Sequence, residues 1–270
     1  MFEFAAVMRF IDAVERGNLA AMRIDSTRLP RLLTTVLPPG QTAMHIAARH
    51  RQDEVVLYLL GVGTDPDVRD ASGQSPLHIA ADIGSLSTVK LLTENGANLD
   101  ASGGSGRETP LYKAALHNTP DHLQVVKFLL EQGASLDLHS AILLGKLDTA
   151  IDQVKSHSAA IYNAIDRDRL LHHSVALRHR DVPAEDIVRL LEVLLENGAN
   201  PNYPLDWNPV LLEAVSTSEA EVVVVSTLLR YGADPTFKDE YESLLEAAES
   251  IAPENVVQLV REALRQGEPG

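Results

Sequence analysis

The sequence predicts an all-α protein, a solenoid of about eight helix-turn-helix units joined by finger-like β-hairpin loops. Three observations predict it. Two short phrases recur in step along almost the whole chain of 270 residues. The composition is 45% hydrophobic but only 4% aromatic, which suits closely packed helices better than a β-sandwich. The apolar residues also fall at helical spacing, with glycines punctuating the intervals.

The first phrase is a Leu pair followed by glycine. It occurs at Leu59-Leu60 with Gly63, Leu91-Leu92 with Gly96, Leu129-Leu130 with Gly133, Leu194-Leu195 with Gly198 and Leu228-Leu229 with Gly232. A worn copy closes the chain at Leu264 and Gly267. The glycines are separated by 33, 37, 65, 34 and 35 residues, and the step of 65 is two units. A repeat of this period means stacked supersecondary units, none of which buries its apolar side alone.

The second phrase keeps the same beat. Its fullest form is Ser75-Pro76-Leu77-His78-Ile79-Ala80-Ala81. Thr42-Ala43-Met44-His45-Ile46-Ala47-Ala48 and Thr109-Pro110-Leu111-Tyr112-Lys113-Ala114-Ala115 match it. Weaker copies start at Leu171, Leu211 and Leu244. Ser or Thr caps a helix start by accepting a backbone N–H, and Pro at the next position has no N–H to waste. Leu and the small alanines face inward and let neighbouring helices approach. In the second helix, Val125, Val126, Leu129 and Leu130 form the opposing apolar face, and Gly133 ends it in a left-handed conformation. Asp65-Pro66, Asn200-Pro201 and Asp234-Pro235 then begin the turn of a finger.

The paired phrases resemble the ankyrin repeat. The resemblance implies a concave face made of finger tips and the ends of first helices, used to hold another protein or peptide. It also implies that His45, His78 and His172, at the motif position, tie one finger to the next.

Two units lack a finger at their entry. One begins the chain, Phe10 to Leu19. The other, Leu138 to Leu147, follows Asp137 directly. The eight units therefore divide into residues 1–136 and 137–270, four repeats each, read as one continuous solenoid with atypical end repeats. Ser102 to Gly106 lengthens one finger. Thr119-Pro120-Asp121, Arg178 to Glu185 and Glu219-Ala220 read as insertions at inter-helix turns, where added length costs little.

On the concave side the sequence singles out His50, Asp82 and His117, at the ends of successive first helices. Aromatic residues in the fingers form a second candidate surface: Tyr162, Tyr203, Trp207, Phe237 and Tyr241. Aromatics bury large area at low entropic cost and so recur at binding hot spots. Leu143 and Leu144, with Leu177, stand beside the missing finger. Uncovered, they would line an apolar notch for a small molecule, with His117 as an acid or base.

The net charge of −15 disfavours nucleic acid and anionic membranes as partners and is compatible with a basic protein. No cysteine is present, which removes thiolate chemistry and disulfides. No run of apolar residues approaches a membrane span, and Met1 to Arg9 is too short and too acidic for a secretion signal. No phosphate-cradling loop or hydrolase elbow appears. The expectation is a monomeric interaction module of the cytoplasm or nucleus, without cofactor or metal.

Overall fold

The computed structural model describes residues 2–38, 40–104, 108–156, 164–177, 182–205, 208–216, 221–238 and 243–267. Its sixteen α-helices form eight consecutive pairs within two compact units, Met1–Asp137 and Leu138–Gly270.

In the first unit the pairs are α1 (Phe2–Glu15) with α2 (Leu19–Arg28), α3 (Ala43–Arg49) with α4 (Asp53–Gly61), α5 (Pro76–Asp82) with α6 (Leu86–Glu94), and α7 (Pro110–Ala115) with α8 (Pro120–Glu131). A single 3-10 turn, Pro30–Leu33, follows α2. The first helices stack in the order α1, α3, α5, α7, and α4, α6 and α8 stack behind them. Two helical layers result, with the core between. Met44, Leu59, Leu77, Leu92, Leu111 and Leu129 are fully buried there, as are the alanine pairs 47–48, 80–81 and 114–115. The alanines explain why α3, α5 and α7 are only six or seven residues long yet pack tightly: small side chains bring the backbones together.

The second unit repeats the plan. It contains α9 (Leu138–Leu143) with α10 (Leu147–Ser156), α11 (Ala164–Ala176) with α12 (Ala184–Glu196), α13 (Val210–Val215) with α14 (Val222–Arg230), and α15 (Leu244–Ile251) with α16 (Glu254–Gly267). The odd-numbered helices stack on one another, and so do the even-numbered ones. Ile142, Leu170, Leu191, Leu211, Leu228 and Leu244 lie in its core. One finger here is a two-stranded hairpin, β1 (Pro204–Leu205) against β2 (Asn208–Pro209), antiparallel with Pro204 opposite Pro209.

The glycines of the first phrase end their helices as expected. Gly63, Gly96, Gly133, Gly198 and Gly232 all have φ between 87° and 93°. Hairpin closure at the fingers shows as isolated pairings of Leu37 with Gln41, Gly103 with Glu108 and Lys238 with Ser243. Where the sequence lacks a finger, only residues 132–137 separate α8 from α9, while residues 62–75 separate α4 from α5.

Two expectations need correction. Thr119-Pro120-Asp121 is not a loop insertion: Thr119 is the N-cap of α8, and the added residues lengthen that helix to 12 residues, against 9 in α4 and in α6. Pro at the first helical position is compatible with this extension. Leu143 and Leu177 do not stand in an open notch. Both are buried, and Leu144 is half-buried. All six residues of the short α9, Leu143 among them, are buried, and Leu177 is buried just past the end of α11.

Candidate functional site

The fingers are held in place by a repeated hydrogen-bond scheme. His45 and His78 are completely buried at the start of α3 and α5. His45 Nε2 donates to the Gln74 carbonyl at 2.8 Å, and His78 Nε2 donates to the Glu108 carbonyl at 2.8 Å. Nδ1 must then accept in the neutral ring. It does so from the Thr42 hydroxyl at 2.7 Å, and from the Ser75 hydroxyl at 2.8 Å with the Ser75 N–H at 3.1 Å. So the Ser or Thr of the phrase serves the imidazole here. At Thr109, whose partner three residues on is Tyr112, the hydroxyl instead accepts the Tyr112 N–H at 3.1 Å. Burial pushes the pKa of both histidines down, outweighing the carbonyl bonds that oppose the shift.

His172 holds the same motif position in the second unit but has different partners. Its Nδ1 lies 2.8 Å from a Glu213 carboxylate oxygen, and its Nε2 lies 3.4 Å from the Tyr203 carbonyl. Arg169 replaces the Ser or Thr three residues earlier, so a carboxylate from α13 takes the place of the hydroxyl.

A second ladder fixes the finger turns. Asp65, Asn98, Asn200 and Asp234 each accept, through Oδ1, the N–H two residues on, at 2.8–3.0 Å. The residue two places later then reaches the next turn. Asp67 accepts the Asn98 N–H at 3.0 Å, Asp100 accepts the Ser135 N–H at 2.8 Å, and Asn202 Oδ1 accepts the Asp234 N–H at 2.7 Å. The Arg69 guanidinium adds donations to the carbonyls of Gly73 at 2.9 Å and Ser102 at 2.6 Å.

On this frame stand the singled-out residues of the first unit. His50, Asp82 and His117 are each partly exposed. His117 Nε2 lies 3.5 Å from Asp82 Oδ1, so these two meet across adjacent repeats. His50 does not join them. It faces back toward Glu15, 4.0 Å away. The His122 ring lies against His117, with centroids 4.4 Å apart, and His122 Nε2 donates to the Asp82 carbonyl at 2.9 Å. This bond from the first turn of α8 spans 40 positions and fixes the turn carrying Asp82, a contact the sequence does not reveal. Among the described residues no group of three His, Cys, Asp or Glu side chains is placed to hold a metal ion.

Next to His50 lies a depression of about 390 Å³. Glu15, Arg49, His50 and Asp70 line it, along with the finger backbone at Gly40 and Ala71. It falls at the repeat that has no finger of its own, so α1 leaves the side of the following finger uncovered.

Of the aromatic candidates, Tyr203 and Phe237 are half-buried. The carbonyl of Phe237 accepts the Leu244 N–H at 3.0 Å, at the foot of its finger. Tyr162, Trp207 and Tyr241 lie outside the described residues. No helix among the described residues is long and apolar enough to cross a membrane.

Known proteins share this architecture in sequence as well. Residues 44–140 match the family model described as ankyrin repeats, three copies. The chain is similar to ankyrin repeat and SOCS box protein 16 of Homo sapiens, 32% identical over 212 residues, covering 73% of this chain and 46% of that protein. It is 35% identical over 103 residues to NF-kappa-B inhibitor alpha of Homo sapiens, covering 36% of this chain and 31% of that protein. It is 35% identical over 130 residues to the B-cell lymphoma 3 protein homolog of Mus musculus, covering 43% and 28%. The chain thus spans less than half the length of each of these relatives. With the period, the finger-tying histidines and the paired helices in agreement, the chain belongs to the ankyrin-repeat family.

Proposed function

We propose that the chain is a protein-binding module whose first unit holds a partner against the ridge formed by His50, Asp82 and His117 and the depression beside it. The observation that supports this best is the contrast between that ridge and its base. Exposed charged and polar side chains project from helices whose other faces are buried, and the fingers beside them are cross-linked by hydrogen bonds. Such a surface loses little conformational entropy on binding. In the second unit Tyr203 and Phe237, with Trp207 and Tyr241 that the sequence assigns to the same two fingers and Tyr162 that it assigns to the finger before them, extend the reading to an aromatic surface. The relatives support it at the level of class: one is named as an inhibitor of NF-kappa-B. The net charge of −15 favours a partner segment rich in Lys or Arg.

Capture from a cell lysate tests this. The variant His50→Ala/Asp82→Ala/His117→Ala is expected to lose the proteins retained by the unaltered chain. Lys127→Ala/Glu131→Ala, on exposed positions of α8, is expected to retain them. Equal capture by all three chains would remove the ridge from the reading. Loss only in Tyr203→Ala/Phe237→Ala would move the surface to the second unit.

A further inference from the structure

We propose that Arg51 is a specificity-determining residue of the ridge, receiving an Asp or Glu side chain from the segment bound there. This rests on the reading of His50, Asp82 and His117 as the binding surface and names one contact within it.

The turn between the two helices of a repeat is left-handed at Gly17, Gly84 and Gly145, with φ of 64–69°. In the second repeat the same turn carries Arg51 at φ 55°. A side chain in that conformation costs stability, and such residues persist where the surroundings over-determine them, often at a binding site. The fold recovers only part of the cost. Arg51 Nη2 donates to the Ile83 carbonyl at 2.6 Å, but the contact is exposed, and water serves an exposed carbonyl nearly as well.

The same bond fixes where the guanidinium points. Arg51 follows His50 directly and Ile83 follows Asp82, so the head group is set within the ridge. The side chain is exposed, and its remaining N–H groups have no partner among the described residues. The Asp82 carboxylate is turned to His117 instead, 3.5 Å away. A planar fork anchored at one corner still offers an edge of two parallel N–H groups, the geometry a carboxylate takes up. Its surroundings select among anions. Asp82 stands close by and the chain carries a net charge of −15, which disfavours a doubly charged phosphate; a singly charged Asp or Glu side chain fits.

Specificity follows from the pairing. A run of Lys and Arg alone meets a like charge at Arg51. A basic segment interrupted by one acidic residue meets opposite charges at both Asp82 and Arg51. A side chain already anchored at its tip has little rotamer freedom left to lose on binding.

Random linear peptides of about 12 residues, displayed on phage and selected on the full chain, test this. The unaltered chain is expected to enrich peptides with an Asp or Glu at a fixed place among basic residues. Arg51→Gly, which relieves the strained turn, is expected to lose that acidic preference and keep the basic one. Arg51→Glu is expected to replace it with a preference for Lys or Arg. For one selected peptide, Arg51→Gly is expected to weaken binding about five- to tenfold, and to weaken no further the same peptide with its acid changed to the amide. An acidic preference that survives in Arg51→Gly, or equal weakening of the acid and amide peptides, overturns the assignment of Arg51 and leaves the ridge standing. Selection of the same peptides by His50→Ala/Asp82→Ala/His117→Ala, or of none by the unaltered chain, overturns the ridge and this contact with it.

Discussion

Gly103 lies directly against the His78 imidazole: a Cβ built on Gly103 would sit 2.7 Å from His78 Nε2. That nitrogen is the one donating to the Glu108 carbonyl. The glycine is required for close approach, not for an unusual backbone angle. Gly103 also pairs with Glu108 across the base of its finger. The histidine thus ties down the same hairpin whose glycine makes room for it.

Gly103→Ala is therefore expected to destabilise the first unit by about 1–3 kcal/mol, the cost of stranding a buried donor. The readout is amide exchange in α5 and α7 together with a urea unfolding midpoint. Unchanged protection in both helices would show that the ring relocates without cost.

Acid should weaken the first unit in a defined direction. The folded-state pKa values of His45 and His78 lie below the ordinary 6.5. As pH falls through about 6.5, the unfolded chain takes up protons that the folded chain refuses. The stability carried by the neutral rings is complete well above that pH and is lost as pH drops toward the folded values. The slope approaches about 1.4 kcal/mol per pH unit for each histidine. Urea midpoints at pH 7.5, 6.5 and 5.5 read this out. A double variant, His45→Gln/His78→Gln, should be less stable at neutral pH and flatter across the series. Identical slopes in the two chains would show that other groups set the response.

Much of this was legible from the residues, and the exceptions have physical causes. The glycine steps located the helix ends, because a left-handed terminus restricts the residue type. The finger ties of His45 and His78 were what the resemblance implied; their hydroxyl partners Thr42 and Ser75 stand three residues away, but the tied carbonyls of Gln74 and Glu108 lie 29 and 30 positions on, where only stacking brings them near. Glu213 was not legible as the partner of His172, since it lies 41 positions away and only stacking brings it near. The faces of very short helices were not legible either. Six residues give too few turns to separate inside from outside, and Leu143 was read outward for that reason. At the ridge, spacing alone placed His50, Asp82 and His117 on successive helices but not which way each turns. The structure pairs the last two and directs His50 to Glu15.

Arg51 offers a test of backbone strain against a side-chain bond. It is the non-glycine residue found at positive φ among the described residues, at 55°, in the turn where Gly17, Gly84 and Gly145 have φ of 64–69°. An L-residue there costs about 1–2 kcal/mol. Its guanidinium recovers part of that by donating to the Ile83 carbonyl at 2.6 Å, an exposed contact. Arg51→Gly is expected to be neutral or stabilising by up to about 1 kcal/mol. Arg51→Ala keeps the strain and loses the bond, and is expected to destabilise. Thermal melts of the two variants give the order. An Arg51→Gly chain that melts below the unaltered chain would mean that the bond to Ile83 outweighs the strain.

The His172–Glu213 contact should behave as a coupled pair. The histidine is almost fully buried and the carboxylate is partly exposed, so solvent screens only one side of the interaction. Hydrogen bonds involving a charged group contribute more than neutral ones, about 1.5–3 kcal/mol before screening. A double-mutant cycle with His172→Leu, Glu213→Leu and the double variant isolates the pair from the packing of each residue alone. A coupling energy of about 1–2 kcal/mol is expected, because breaking either partner strands the other. At His78, the equivalent position in the first unit, the partner is a hydroxyl three residues away. A parallel cycle with His78→Leu and Ser75→Ala should therefore give a smaller coupling. Equal couplings at the two sites would mean that the carboxylate does no more for its histidine than a serine does.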